Sequence, residues 1–311
     1  MLSAAIPPLS GTSDVYLIVG YPVAQVQAPV LFNAVFARAG VNAVMVPVEI
    51  APQHLLEFVK SAFLAPNVRG LCATIPHKNA LADAMHTCSL SARIAGAVNA
   101  VRRLADGRLE GEMFDGQGLR AALDYFGMAY RGKRVLVLGA GGAAAAIAAE
   151  LASAAPHAAA QVSLYDPAPG KAQALAQRLA AQTSAPVAVV TTNDPAGFDL
   201  VINASPLGLN PDDALPCDVQ RIEPHAAVMD IVMKHQPSRW VRAARARGLQ
   251  AQPGFEMLIQ QTAPYLDFFG LHPAAELVRS DATFLREQIY PGTLRGEIRG
   301  REPHLLIPAL L

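Results

Sequence analysis

The stretch VLVLGAGGAAAA, residues 135–146, decides how the chain is organised. Its first half is an unbroken run of branched and leucine side chains, the pattern of a strand buried on both faces. The alanine-rich half that follows reads as a helix. Between them Gly139, Gly141 and Ala144 fall in a GxGxxA pattern. The first glycine permits a tight turn, the second lets a pyrophosphate approach the backbone, and a small third residue lets helix and strand pack closely. Unpaired N–H groups and the dipole at the helix start favour the phosphate charge. Gly139, Ala140, Gly141, Gly142 and Ala143 are therefore expected to cradle a dinucleotide.

The flanking pattern is βαβ. GAAAAIAAELASAA (142–155) leads into the strand AQVSLYD (160–166), which closes on Asp166. A carboxylate there accepts hydrogen bonds from the adenosine ribose diol and repels a 2′-phosphate, so NAD is expected over NADP. The plainer reading of Asp166 is an exposed aspartate after a structural turn. FDLVINAS (198–205) and AAVMDIV (226–232) extend the same sheet. In NASPLG (203–208), Asn203 and Ser205 are expected to border the nicotinamide half of the cofactor, although Asn203 could simply end its strand. Gly254, where strand signals stop, is assigned to the same site.

Upstream lies a second α/β series: VYLIVG (15–20), the helix-spaced APVLFNAVFARAG (28–40), NAVMVPVEI (42–50), PQHLLEFVKSAF (52–63) and RGLCATIP (69–76). Strands alternating with helices imply a parallel layer. GRLEGEMFDGQGLRAALDYFG (107–127) runs from a hairpin-like segment into a helix and joins the two series, and FEMLIQQTAPYLDFFG (255–270) opens a helical C-terminal part. Residues 1–13 read as a loose tail, and 291–311 as a tail suited to packing on a partner subunit, hence a possible homodimer.

Composition narrows the function. The 25 basic residues balance the 25 acidic ones, which leaves no electrostatic footprint for nucleic acid or an anionic membrane. Cys72, Cys88 and Cys217 form no paired or metal-ligand spacing and are expected to be buried packing in a reducing compartment. The eight histidines show no ligand spacing, so no metal is expected. No signal-peptide pattern and no membrane-length apolar run stand out, which points to the cytoplasm. Lysine is scarce: Lys60, Lys78, Lys133, Lys171 and Lys234 stand among 25 basic residues. A lysine kept among arginines is a candidate for a proton that guanidinium cannot lose.

Three polar residues interrupt apolar surroundings ahead of the glycine-rich turn. They are Lys78 after CATIP, Asn99 in AGAVNA and Asp115 in MFDGQG. Singly, each has a plain explanation as a solvated loop charge, a turn residue, and an N-cap for a helix starting near Gly118. Together with VGYPVAQVQAP, TIPHK, LGAGGAA, VINASPLG and PGFEMLIQQTA they occur in the order and approximate spacing of the shikimate and quinate dehydrogenases, which the chain resembles over residues 14–285. The resemblance implies an α/β fold of two domains: an N-terminal substrate domain (1–114), a Rossmann-type nucleotide domain (115–251), and C-terminal helices with a tail (252–311) returning to the substrate domain. It implies a cyclic hydroxy substrate in the cleft between them. Lys78 and Asp115 would form the proton-transfer pair while hydride passes to nicotinamide, and Asn99 and Gln261 would bond ring hydroxyls beside Thr74. A lysine out of water suits the work, because burial eases loss of its proton.

The chain departs from the family at one end of that pocket. Two serines that hold a substrate carboxylate match Val26 and Ala28, and a tyrosine with the same task matches Met233. Cys72 stands for a common asparagine. Each lost hydrogen bond to a charged group forfeits about 1.5 to 3 kcal/mol, so shikimate itself is expected to bind poorly. Gln25, Gln27 or His77 could donate from shifted positions, and His77 could equally be loop packing. The resulting expectation is an NAD-dependent dehydrogenase whose substrate has an altered or absent carboxylate. The alternative is a non-catalytic NAD-binding or ligand-sensing relative.

Overall fold

The computed structural model describes residues 9–153 and 158–298. The first α/β series folds around β1 (Asp14–Gly20), whose last five residues are buried. Helix α1 (Ala28–Ala39) follows, closed by Gly40 at φ 65°, and leads to β2 (Ala43–Glu49). Then come α2 (Leu55–Ala62), β3 (Val68–Ala73), α3 (Lys78–Ala84), β4 (Thr87–Cys88), α4 (Leu90–Ala95), β5 (Ala100–Arg103) and β6 (Leu109–Glu112). Their sheet has the order β2-β1-β3-β5-β6-β4. β1 is parallel to β2 and β3, while β5 runs antiparallel to β3 and β6, so the hairpin expected near residue 107 is the β5–β6 pair.

Helix α5 (Asp115–Phe126) carries the chain into the second series. This comprises β7 (Arg134–Leu138), α6 (Gly142–Ser153), β8 (Gln161–Tyr165), α7 (Lys171–Ala180), β9 (Val187–Val189), β10 (Leu200–Asn203), β11 (Ala227–Asp230), α8 (Arg239–Ala246) and β12 (Gln250–Pro253). The strands are parallel and ordered β12-β11-β10-β7-β8-β9, which is the doubly wound order of dinucleotide-binding sheets. The direction of winding reverses between β7 and β10, and the crevice outside their carboxyl ends is where such sheets hold ligands.

Helices α9 (Phe255–Phe268), α10 (His272–Ser280) and α11 (Thr283–Ile289) return to pack on α1, α9 also packs on α5, and α12 (Gly292–Ile298) packs on α11. Phe255, Ile259, Tyr265 and Leu266 of α9 share one apolar core with Leu31, Phe32 and Phe36 of α1. The MFDGQG motif explains how α5 fits between its neighbours. A Cβ on Gly116 would sit 2.3 Å from the Ala146 carbonyl oxygen of α6, and one on Gly118 would sit 2.3 Å from Gln261 Cγ of α9. The two glycines let α5 touch both helices closely, which ties the two halves together at the residue where Asp115 begins the helix.

The structure corrects three details. Asp115 is the first residue of α5 with Phe114 at the cap position, so it does not cap a helix starting near Gly118. Cys88 is only half-buried, unlike Cys72 and Cys217. Short β4, β9 and β12 were absent from the sequence reading. Within 291–311, helix α12 accounts for 292–298; of the expected N-terminal tail, Ser13 is buried and donates to Asn42 Oδ1 at 2.6 Å, while 1–8 and 299–311 lie outside the described residues.

Candidate active site

A cleft of about 590 Å3 opens between the two halves. Its floor is the pair expected from sequence. Lys78, the first residue of α3, places Nζ 2.5 Å from Asp115 Oδ2, with the two side chains 15% and 5% exposed. Asn99 holds the other carboxylate oxygen: its Nδ2 donates to Asp115 Oδ1 at 2.9 Å, and its Oδ1 accepts the Phe114 N–H at 3.0 Å. The start of α5 adds its dipole to the stabilisation of the carboxylate. Asn99 is 1% exposed and stands behind Asp115, off the cleft wall. Thr74 and Gln261 line the same cleft as Lys78.

The glycine-rich turn faces the same space. Gly139 has φ 116°, and a Cβ there would lie 2.7 Å from the Ala204 carbonyl oxygen, so glycine is required. A Cβ on Gly141 would meet nothing within 4 Å, which leaves the open approach that a pyrophosphate needs. Gly142 lies against the other half, its added Cβ 3.4 Å from Lys78 Cβ, so the glycine-rich turn and the candidate base are neighbours. Ala140, Ala143, Ser205 and Gly254 also line the cleft.

Asp166 has a more particular place than its motif indicates. Its Oδ2 accepts the Ala140 N–H at 2.9 Å, its Oδ1 accepts the Ala168 N–H at 3.0 Å, and Lys171 Nζ is 3.4 Å away. The carboxylate thus holds the glycine-rich turn as well as presenting itself to the cleft. Asn203 is fully buried and does not reach the cleft. Its Nδ2 donates to Asp230 Oδ1 and the Leu207 carbonyl, both at 2.9 Å, and its Oδ1 accepts the Ser205 hydroxyl at 2.6 Å. It shapes the 204–208 turn, and the Ser205 proton is committed to it.

Val26, Ala28 and Met233 are on the cleft wall, as is Gln27 between the first two. His77 turns away: it is 1% exposed, its Nε2 is 2.9 Å from the Ile50 carbonyl oxygen, and burial pulls its pKa below the usual imidazole value. Its role is loop packing. Gln25 faces the cleft but donates its amide to the Pro22 carbonyl at 2.8 Å. Sequence reasoning missed Tyr265, which follows Gln261 by one helical turn on α9 and lines the cleft. Its hydroxyl donates to the Asn99 carbonyl at 3.2 Å, and burial pushes the phenol well above its ordinary range.

Residues 18–101 match the shikimate dehydrogenase substrate binding domain. The chain is 36% identical over 262 residues to a shikimate dehydrogenase (NADP(+)) of Rubrobacter xylanophilus, covering 83% of this chain and 90% of that protein. It belongs to the shikimate dehydrogenase family. With that membership it is an oxidoreductase of the nicotinamide-dependent alcohol dehydrogenase class. Among solved structures of the fold, a 5-ketofructose reductase of Gluconobacter sp. strain CHM43 is 28% identical with TM-score 0.73, covering 87% of this chain and 99% of that one. A quinate dehydrogenase from Corynebacterium glutamicum in complex with NAD is 26% identical with TM-score 0.74, covering 86% and 98%. No helix among the described residues is long and apolar enough to cross a membrane, and no cluster of ligating side chains there could hold a metal.

Proposed function

We propose that this enzyme interconverts a ring secondary alcohol and its ketone with NAD, using Lys78 and Asp115 as the proton-transfer pair, on a substrate whose end toward Val26, Ala28 and Met233 bears no carboxylate. The observation that carries this reading is the buried Lys78–Asp115 contact of 2.5 Å beside the glycine-rich turn. A bound nicotinamide would supply the hydride acceptor. In the oxidising direction Lys78 as an amine takes the hydroxyl proton, and in the reducing direction its ammonium returns a proton to the ketone oxygen. Asp115 holds the Lys78 nitrogen in place, and Asn99 fixes Asp115 in turn. Gln261 and Thr74, which line the cleft, bond neighbouring ring hydroxyls in this reading. In this reading residues 1–114 and 252–311 form the substrate half and 115–251 the nucleotide half.

The reading of the substrate rests on the wall facing the pair. Losing two hydroxyl donors to a carboxylate costs roughly 3 to 6 kcal/mol, on the order of a hundredfold to ten-thousandfold in affinity. A relative named for a keto sugar supports substrates without that group. The NAD preference rests on Asp166, because a carboxylate on the cleft wall repels a 2′-phosphate. The Rubrobacter relative is named for NADP(+) and the Corynebacterium structure holds NAD, so both cofactors occur among relatives. Steady-state kinetics over shikimate, quinate and uncharged cyclitols with each cofactor tests the reading. A micromolar shikimate KM with rapid turnover would sink the substrate claim, and higher kcat/KM with NADP would sink the cofactor claim.

A further inference from the structure

The part of the cleft wall that carries Val26 and Met233 forms an apolar subsite. Half-buried Val26, Met233 and Leu258 line the cleft and pack on a buried floor that includes Ile18 and Phe32. Of the polar groups nearby, the Tyr265 hydroxyl bonds the Asn99 carbonyl and the Gln25 amide bonds the Pro22 carbonyl; Gln27 also lines the cleft, and its neutral amide attracts a carboxylate less than a cation would. Of the cleft's cations, Lys78 is paired with Asp115 and Lys171 with Asp166. Lys234, which has no acid partner among the described residues, is exposed, so it offers a hydrated and weakly attracting charge.

We propose that the substrate carries a hydrocarbon substituent, alkyl or aryl, that seats among Ile18, Val26, Phe32, Met233 and Leu258 while its ring hydroxyl meets Lys78. This deepens the proposed dehydrogenase reading and rests on it for the orientation of the ring. The competing attraction is the start of α1 at Ala28, whose dipole would favour a carboxylate. That helix end is worth roughly two- to fivefold in affinity. Burying a propyl group is worth about fiftyfold, at nearly fourfold per methylene. The apolar wall therefore wins, the more so because a carboxylate would lose water there without two side-chain donors.

The test compares shikimate with two analogues in which the ring carboxylate is replaced by methyl or by propyl. Affinities are read by calorimetry on the full chain saturated with NADH, and turnover is read separately with NAD. The expected result is a propyl analogue bound about tenfold tighter than the methyl one and at least tenfold tighter than shikimate, with Val26→Ser/Ala28→Ser reversing the second ratio. Thermal melting of that variant establishes that it folds. Shikimate binding as tightly as the propyl analogue, a propyl analogue no tighter than methyl, or no binding by any of the three overturns the inference. The expected affinity order without NADH formation from any of them supports the subsite and sinks the dehydrogenase reading instead.

Discussion

Lys78→Met separates the structural worth of the floor pair from its chemical worth. Asp115 is 5% exposed at its side chain, and its two oxygens are held by Lys78 at 2.5 Å and Asn99 at 2.9 Å. Removing the ammonium leaves an almost dry carboxylate with one side-chain donor. Breaking a buried pair this way costs about 3 to 5 kcal/mol. The start of α5 returns about 0.3 to 1 kcal/mol by its dipole, and the open cleft admits some water, so a loss of roughly 2 to 4 kcal/mol is expected. Lys78→Met/Asp115→Asn should recover most of that, because an amide in place of the carboxylate leaves no uncompensated charge. Both variants should lose roughly a hundredfold to ten-thousandfold in kcat, since proton transfer is gone in each. Urea unfolding and initial rates on the same preparations read the two effects. A Lys78→Met protein as stable as wild type, or a double variant that regains turnover with stability, would refute the argument.

Other perturbations follow from single contacts. Asp166→Ser should raise the NADP to NAD ratio of kcat/KM on the order of tenfold by removing a like charge from the 2′-phosphate position, read from paired saturation curves. Gly139→Ala forces an alanine at φ 116° against the Ala204 carbonyl and should raise the cofactor KM at least tenfold. Gly118→Ala drives a methyl into Gln261 and the Met257 carbonyl; overpacking should cost about 1 to 3 kcal/mol by urea unfolding and raise the substrate KM. For His77 the folded pKa lies below the unfolded value of about 6.5, so its contribution to stability is present above that pH. It is lost as pH falls through 6.5 toward the lowered folded value. Unfolding midpoints measured between neutral and mildly acidic pH should fall less steeply in His77→Gln than in wild type.

The sheet of the nucleotide half was legible because its signals are local: buried strands of four or five residues, a glycine turn and a helix of alanines. β4 and β9 have too few residues to show a period, and β12, Gln-Ala-Gln-Pro, alternates over only four residues with alanine and proline, weak strand formers, on its buried side. They exist because neighbouring strands present unpaired edges. The floor of the candidate site was legible as types in order, Lys78, Asn99 and Asp115, but the service of Asn99 to Asp115 was not. That depends on Asn99, just before β5, lying against the start of α5. Asn203 shows the same limit: one bond to Asp230 on the next strand fixes it, and its bonds to Leu207 and Ser205 hold a turn, a role no spacing reveals. The apolar subsite was visible only as missing hydroxyls. Its floor, Ile18 and Phe32, comes from a sheet face and a helix brought together by α9.

Hydride transfer itself is the most direct measurement. A ring triol with a C1 propyl group, deuterated at the reacting carbinol carbon, is incubated with NAD and the cofactor product is weighed by mass spectrometry. The account predicts NADH carrying the deuterium, formed by wild type and at least a hundredfold more slowly by Lys78→Met. Unlabelled NADH, or equal rates from the two proteins, would contradict it.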